Sequence, residues 1–119
     1  MKKILFILLL SAISHSSFAG TGLNCSEDEV LSDENQLEAC VTQTNDELNA
    51  TYKQLTETHK DAPEKLEALK SMQLAWIKMR DAQCLFKSMN SAGGGGAAMT
   101  AVRCEIGMTI QREEELADL

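Results

Sequence analysis

No Cys-x-x-Cys pair occurs in the 119 residues, histidine appears only at positions 15 and 59, and 18 acidic side chains outnumber 11 basic ones. Unpaired thiols and scarce imidazoles make a poor zinc site. A net charge of −7 argues against nucleic acid and against a basic grip on anionic lipid. No stretch of useful length alternates with period two and no internal repeat is visible, which leaves strands and solenoids without a signal. Beyond residue 19 no apolar run is long enough to span a bilayer.

What the chain does have begins with a leader. Lys2 and Lys3 precede an apolar run at 4–13, followed by Ser17-Phe18-Ala19, a small-x-small cleavage signature. This reads as a signal peptide over residues 1–19, and its apolar run is too short for a membrane span. Cleavage after Ala19 leaves one domain, residues 20–119, and the loss of Lys2 and Lys3 takes the net charge from −7 to −9. Cys25 follows Gly22-Leu23-Asn24, with no small residue directly before it, so it is not read as a lipoprotein anchor. The expected location is periplasmic or secreted, with no membrane insertion of the processed chain.

Helical spacing fills the remainder. Ser32, with Asp33 and Glu34 behind it, suits a helix start. From there to about His59, residues Leu37, Cys40, Val41, Thr44, Leu48, Tyr52 and Leu55 recur at three- and four-residue steps and form one apolar stripe. Asp61-Ala62-Pro63-Glu64 predicts a tight link in which Asp61 caps, Pro63 occupies the first turn and Glu64 completes a capping box. A second helix over about 62–90 carries Leu66, Leu69, Met72, Gln73, Trp76, Met79, Arg80, Gln83 and Phe86, antiparallel to the first. Four glycines at 93–96 each cost about 1 kcal/mol relative to alanine in a helix interior and predict a loop. A third helix is expected from Ala97 to Leu116, with Met99, Val102, Ile106, Ile110 and Leu116 buried and Arg112 beside an exposed run of glutamates. The expected fold is all-α: a small, disulfide-stapled, antiparallel three-helix bundle.

Cys25, Cys40, Cys84 and Cys104 all lie beyond the cleavage site, and an even count in a small exported chain predicts two bridges. Folding the chain back at about residue 62, and again at Gly94, sets Cys40 opposite Cys84 and Cys84 opposite Cys104, with Cys25 in reach of the same end. Cys25 with Cys40 and Cys84 with Cys104 is favoured, because each closes a short loop. Cys40 with Cys84, leaving Cys25 for Cys104, is the alternative.

Leu48-Asn49-x-x-Tyr52, then Gln73-x-x-Trp76-x-x-x-Arg80-Asp81-x-x-Cys84, then Cys104 and Arg112-x-x-x-Leu116, resembles the lysozyme inhibitor LprI-like N-terminal domain family. The match spans nearly all of residues 20–119. Cys25 and Cys40 stand where that family commonly places a cysteine pair, and the glycines fall where many members have a Gly-Gly-Ser loop. Met79 departs from the pattern, standing where an aromatic residue is common. The resemblance implies a small secreted or periplasmic helical domain, with lysozyme inhibition attributed to the family's namesake.

The motif residues have a structural reading. Trp76 and Arg80 are one helical turn apart, so the guanidinium can lie on the indole, while Asn49 and Gln73 are expected to satisfy each other's amides across the hairpin, near Tyr52. Met72, Met79, Met89, Met99 and Met108 fit gap filling better than Cu(I) transport. No P-loop lysine follows the glycines, so an anion cradle is not expected. Asn49-Ala50-Thr51 matches a glycosylation sequon but falls inside a helix. His59 has no nucleophile to serve, and no enzyme activity or cofactor is expected. The function that remains is binding: inhibition of a basic, lysozyme-type glycan hydrolase steered by charge, with Glu27, Asp28 and Glu29 or the loop around Gly94 and Gly95 as candidate contacts. The alternative is a general periplasmic interaction or stress module with another protein partner and no inhibitory activity.

Overall fold

The structure, a computed structural model, describes residues 22–91 and 95–119. The expected signal peptide at 1–19 and Gly94 lie outside the described residues. Within them the chain forms α1 (Asp28–Ser32), α2 (Glu34–Thr58), α3 (Pro63–Met89) and α4 (Gly95–Ala117), and no strand. The helical bundle expected from spacing is present, with one short helix added in front of it.

That addition shifts the first cap. Ser32 closes α1 by donating its hydroxyl to the Asp28 carbonyl at 2.6 Å. The cap of α2 is Asp33, in extended conformation, whose Oδ1 accepts from the Asn35 and Gln36 amides at 2.9 and 3.3 Å. A carboxylate at this position also faces the positive end of the helix dipole, which favours it over the serine hydroxyl.

The α2–α3 link is tight, as its composition predicts: the Ala62 amide donates to the His59 carbonyl at 2.9 Å. The expected capping box is absent, because Ala62 rather than Asp61 occupies the N-cap and supplies no side-chain acceptor. Pro63 follows at the first helical position, where the missing N–H removes one amide that would otherwise be orphaned. At the far end, α4 starts at Gly95 instead of Ala97. Thr100 ties down this first turn, donating to the Gly96 carbonyl at 2.8 Å while accepting from the Ser91 hydroxyl at 2.9 Å.

The packing departs from a simple hairpin. α2 and α3 run back from their short link, but both lie chiefly against α4, and α1 lies on α2. The core accordingly has two parts. Cys25, Leu37, Cys40 and Ile106 form one, flanked by half-buried Val41, Met99, Val102 and Ile110. Leu48, Leu69, Trp76 and Leu116 form the other, with Tyr52, Leu55 and Met108 against it. Because α3 lies chiefly against one long neighbour, its buried face is narrow: Leu69, Trp76, Cys84 and Ser88. Of the residues at helical spacing on this helix, Met72, Met79 and Phe86 are exposed.

Two disulfides hold this arrangement. Cys25–Cys40 fastens the start of the chain to α2, and Cys84–Cys104 fastens α3 to α4. The pairing is the one that closes two short loops. Met108 lies against the second bridge, its Sδ 3.7 Å from Cys84 Sγ and 4.0 Å from Cys104 Sγ, a soft sulfur contact without a proton donor. Loop-closure entropy for a 20-residue separation predicts that Cys84→Ser combined with Cys104→Ser lowers unfolding free energy by about 3 kcal/mol, measurable by urea denaturation followed by circular dichroism.

Candidate functional site

Trp76 is the centre of a polar layer built from α3 and α4. Helical spacing puts Arg80 one turn further along α3, with its guanidinium carbon 5.2 Å from the indole centroid, as expected from the sequence. A second guanidinium, that of Arg112 on α4, lies 5.7 Å from the same ring. Arg112 is only 8% exposed. Its Nε donates to Gln73 Oε1 at 3.1 Å, and its Nη1 pairs with Glu115 Oε2 at 3.0 Å. Nη2 is buried with no hydrogen-bond acceptor, so the indole π-face is the electron-rich group available to this guanidinium.

The expected amide pair between Asn49 and Gln73 is replaced by this Arg112–Gln73 bond. The cause is the position of α4, which lies against both long partners and presents Arg112 to Gln73 from within. Asn49 is exposed on the opposite wall. Arg112 lies beside the glutamate run in sequence, yet its spacing from Ile106, Thr109 and Leu116 puts it on the buried stripe.

Splaying of α2 from α3 opens a cleft of about 370 Å³ between them. Asn49 and Tyr52 line the α2 wall with Asn45 and Leu48; Gln73, Trp76 and Arg80 line the α3 wall with Ile77. All five motif residues therefore meet in one place. Arg80 is directed by Asp81, whose Oδ1 is 2.9 Å from Nη2. The cleft is amphipathic, with an aromatic and aliphatic floor and amide and guanidinium donors at its sides.

The other sequence-predicted contacts lie elsewhere. Glu27 is the N-cap of α1 and accepts from Asn24 Nδ2 at 2.8 Å; Asp28 and Glu29 form the first turn of that helix, and all three are exposed. They belong to a larger feature. Residues 22–52 contain eight carboxylates and no lysine or arginine, and every one of those carboxylates is exposed. The Cys25–Cys40 bridge holds the front of this segment against α2 as an acidic end, into which Arg103 of α4 reaches, its Nε donating to the Leu31 carbonyl at 2.8 Å. Gly95 opens α4 with open space around it, distant in sequence from that end.

Among the described residues no group of three or more histidine, cysteine, aspartate or glutamate side chains is arranged to hold a metal ion. All four cysteines are bridged. The methionines are dispersed: Met99 and Met108 pack against the core, while Met72, Met79 and Met89 are on the surface rather than filling gaps within it. The sequon threonine is already engaged, Thr51 donating to Glu113 Oε1 on α4 at 2.6 Å. No described helix is long and apolar enough to cross a membrane.

The described residues form a small, disulfide-bonded helical bundle with a cleft lined by the motif residues. Its family is given by a match to the model of Lysozyme inhibitor LprI over residues 24–116, and the chain belongs to that family. It is also 36% identical over 72 residues to an uncharacterized protein of Rhizobium meliloti (strain 1021), covering 60% of this chain. The chain spans about half of that relative, 52% of its length. No solved structure matches.

The buried layer makes its own prediction. Arg112→Met removes the donor to Gln73 and the pair with Glu115, and should lower stability by about 2 kcal/mol in chemical denaturation, with red-shifted Trp76 emission. Arg80→Met should change stability by less than about 1 kcal/mol, because its carboxylate partner is adjacent in sequence and half exposed.

Proposed function

We propose that the chain is an exported, non-enzymatic binding protein that inhibits a basic, lysozyme-type glycan hydrolase. The observation that carries this reading is the family match over residues 24–116. The basic character of the partner is supported by the acidic end, where eight exposed carboxylates over residues 22–52 are met by one basic side chain, Arg103 of α4. Such a predominantly acidic surface raises the encounter rate with a cationic protein, and the rate falls as salt screens it. Glu27, Asp28 and Glu29 lead this surface, since they project from α1 while Cys25–Cys40 restrains its base. Gly94 and Gly95, at the α3–α4 link, are the second contact segment in this reading. Two disulfides suit an oxidising compartment, reached by removal of residues 1–19.

Binding rather than catalysis fits the chemistry present. Bridged cysteines supply no thiolate, and the cleft between α2 and α3 offers amides and guanidinium groups in place of a nucleophile with its base. Lysozyme turnover on cell-wall substrate, followed with excess oxidised protein at low and moderate salt, tests the reading. Inhibition is expected, weaker at the higher salt. Neutralising the front by Glu27→Gln, Asp28→Asn and Glu29→Gln together should slow association about tenfold at low salt. Full turnover at both salt concentrations would remove lysozyme as the target.

A further inference from the structure

The exposed face of α3 carries Met72, Ala75, Met79, Ala82, Phe86 and Met89, spaced by three and four residues alternately, with Met72 at its N-terminal end also lining a recess with Leu55, His59 and Leu119. This is the spacing of a coiled-coil seam, where apolar residues return to one side every 3.5 residues. All six side chains are exposed, with Phe86 at 68% and Met89 at 70%. The seam is separate from the cleft lined by the family motif, which opens on the side of α3 facing α2.

We infer that this seam pairs with the same seam of a second copy of the chain, antiparallel, to form a symmetric dimer. Two observations select that occupant. In the antiparallel register Met72 faces the partner's Met89, Ala75 faces the partner's Phe86 and Met79 faces the partner's Ala82. Each alanine thereby receives a large side chain, and the flexible methionine pairs close the two ends of the seam. A parallel in-register pair would set alanine on alanine and phenylalanine on phenylalanine, alternately too wide and too narrow. The area is also adequate. The seam is roughly 26 Å long at helical rise, and with Leu85 beside it offers on the order of 600 Å² per copy, close to the roughly 800 Å² a side of a standard interface. Charge sets a limit rather than a preference: α3 holds five basic and three acidic side chains, so two copies of it repel weakly, while the acidic excess of α1, α2 and α4 stays outside the seam.

The dimer does not depend on lysozyme inhibition, since the acidic end lies on α1 and α2. Sedimentation equilibrium of the oxidised, signal-processed chain from micromolar to about millimolar concentration should show a doubling of mass. Phe86→Asp should weaken association about tenfold or more, with helix content unchanged by circular dichroism because the side chain is exposed. Ala82→Phe separates a specific seam from general stickiness: filling the space meant for the partner's Met79 should weaken the dimer, although it adds apolar surface. A monomer throughout, a dimer indifferent to Phe86→Asp, or a dimer strengthened by Ala82→Phe would overturn the inference. So would a monomeric chain that co-floats with phosphatidylglycerol vesicles through this face, which would give the seam to a lipid surface.

Discussion

The position of α4 between two helices that do not close on each other is the constraint on which the rest of the molecule depends. α3 lies chiefly against α4, and α2 reaches it only at the cluster where Leu48, Tyr52 and Leu55 meet Leu69 and Trp76. The chain meets this with three different interactions along the same pair of helices: the Cys84–Cys104 bridge, the packing of Leu116 with Leu69 and Trp76, and the Arg112 guanidinium between Gln73 and Glu115. A covalent tie, apolar burial and a hydrogen-bonded charge fail under different conditions, so reduction or salt alone weakens only one of them.

The same constraint explains why the family motif is both structural and surface-forming. Were α2 and α3 closely packed, Asn49, Tyr52, Gln73, Trp76 and Arg80 would be sealed in a polar layer. With α4 taking Gln73 and one approach to Trp76, the remaining atoms of these residues face a cleft. The acidic end and the cleft are distinct chemical surfaces on one small scaffold, one a field of carboxylates and the other a mixture of aromatic, amide and guanidinium groups. A domain of this size can thus present two chemically different surfaces on three long helices.

Much of the fold was legible in residue spacing. The three- and four-residue recurrence from Leu37 to Leu55 located α2, the proline at 63 located the start of α3, and loop length favoured the observed cysteine pairing. The rest has a common physical origin. Periodicity reports that a helix has an apolar side but not how many neighbours cover it, so the spacing of Met72, Met79 and Phe86 does not reveal that they are exposed. The glutamates beside Arg112 in sequence likewise do not reveal that its neighbours in space are Trp76 and Gln73. Capping choices at Ser32 against Asp33 and at Asp61 against Ala62 turn on one residue of backbone conformation, which composition does not fix. The convergence of the motif on a cleft was beyond spacing rules, since it follows from the splay of two helices around a third.

Both bridges join cysteines that are consecutive along the chain, the first with the second and the third with the fourth. Thiol oxidation that proceeds from the N-terminus as the polypeptide emerges therefore makes each correct pair before the next thiol arrives. Pairing in chain order takes one two-electron oxidant for each dithiol.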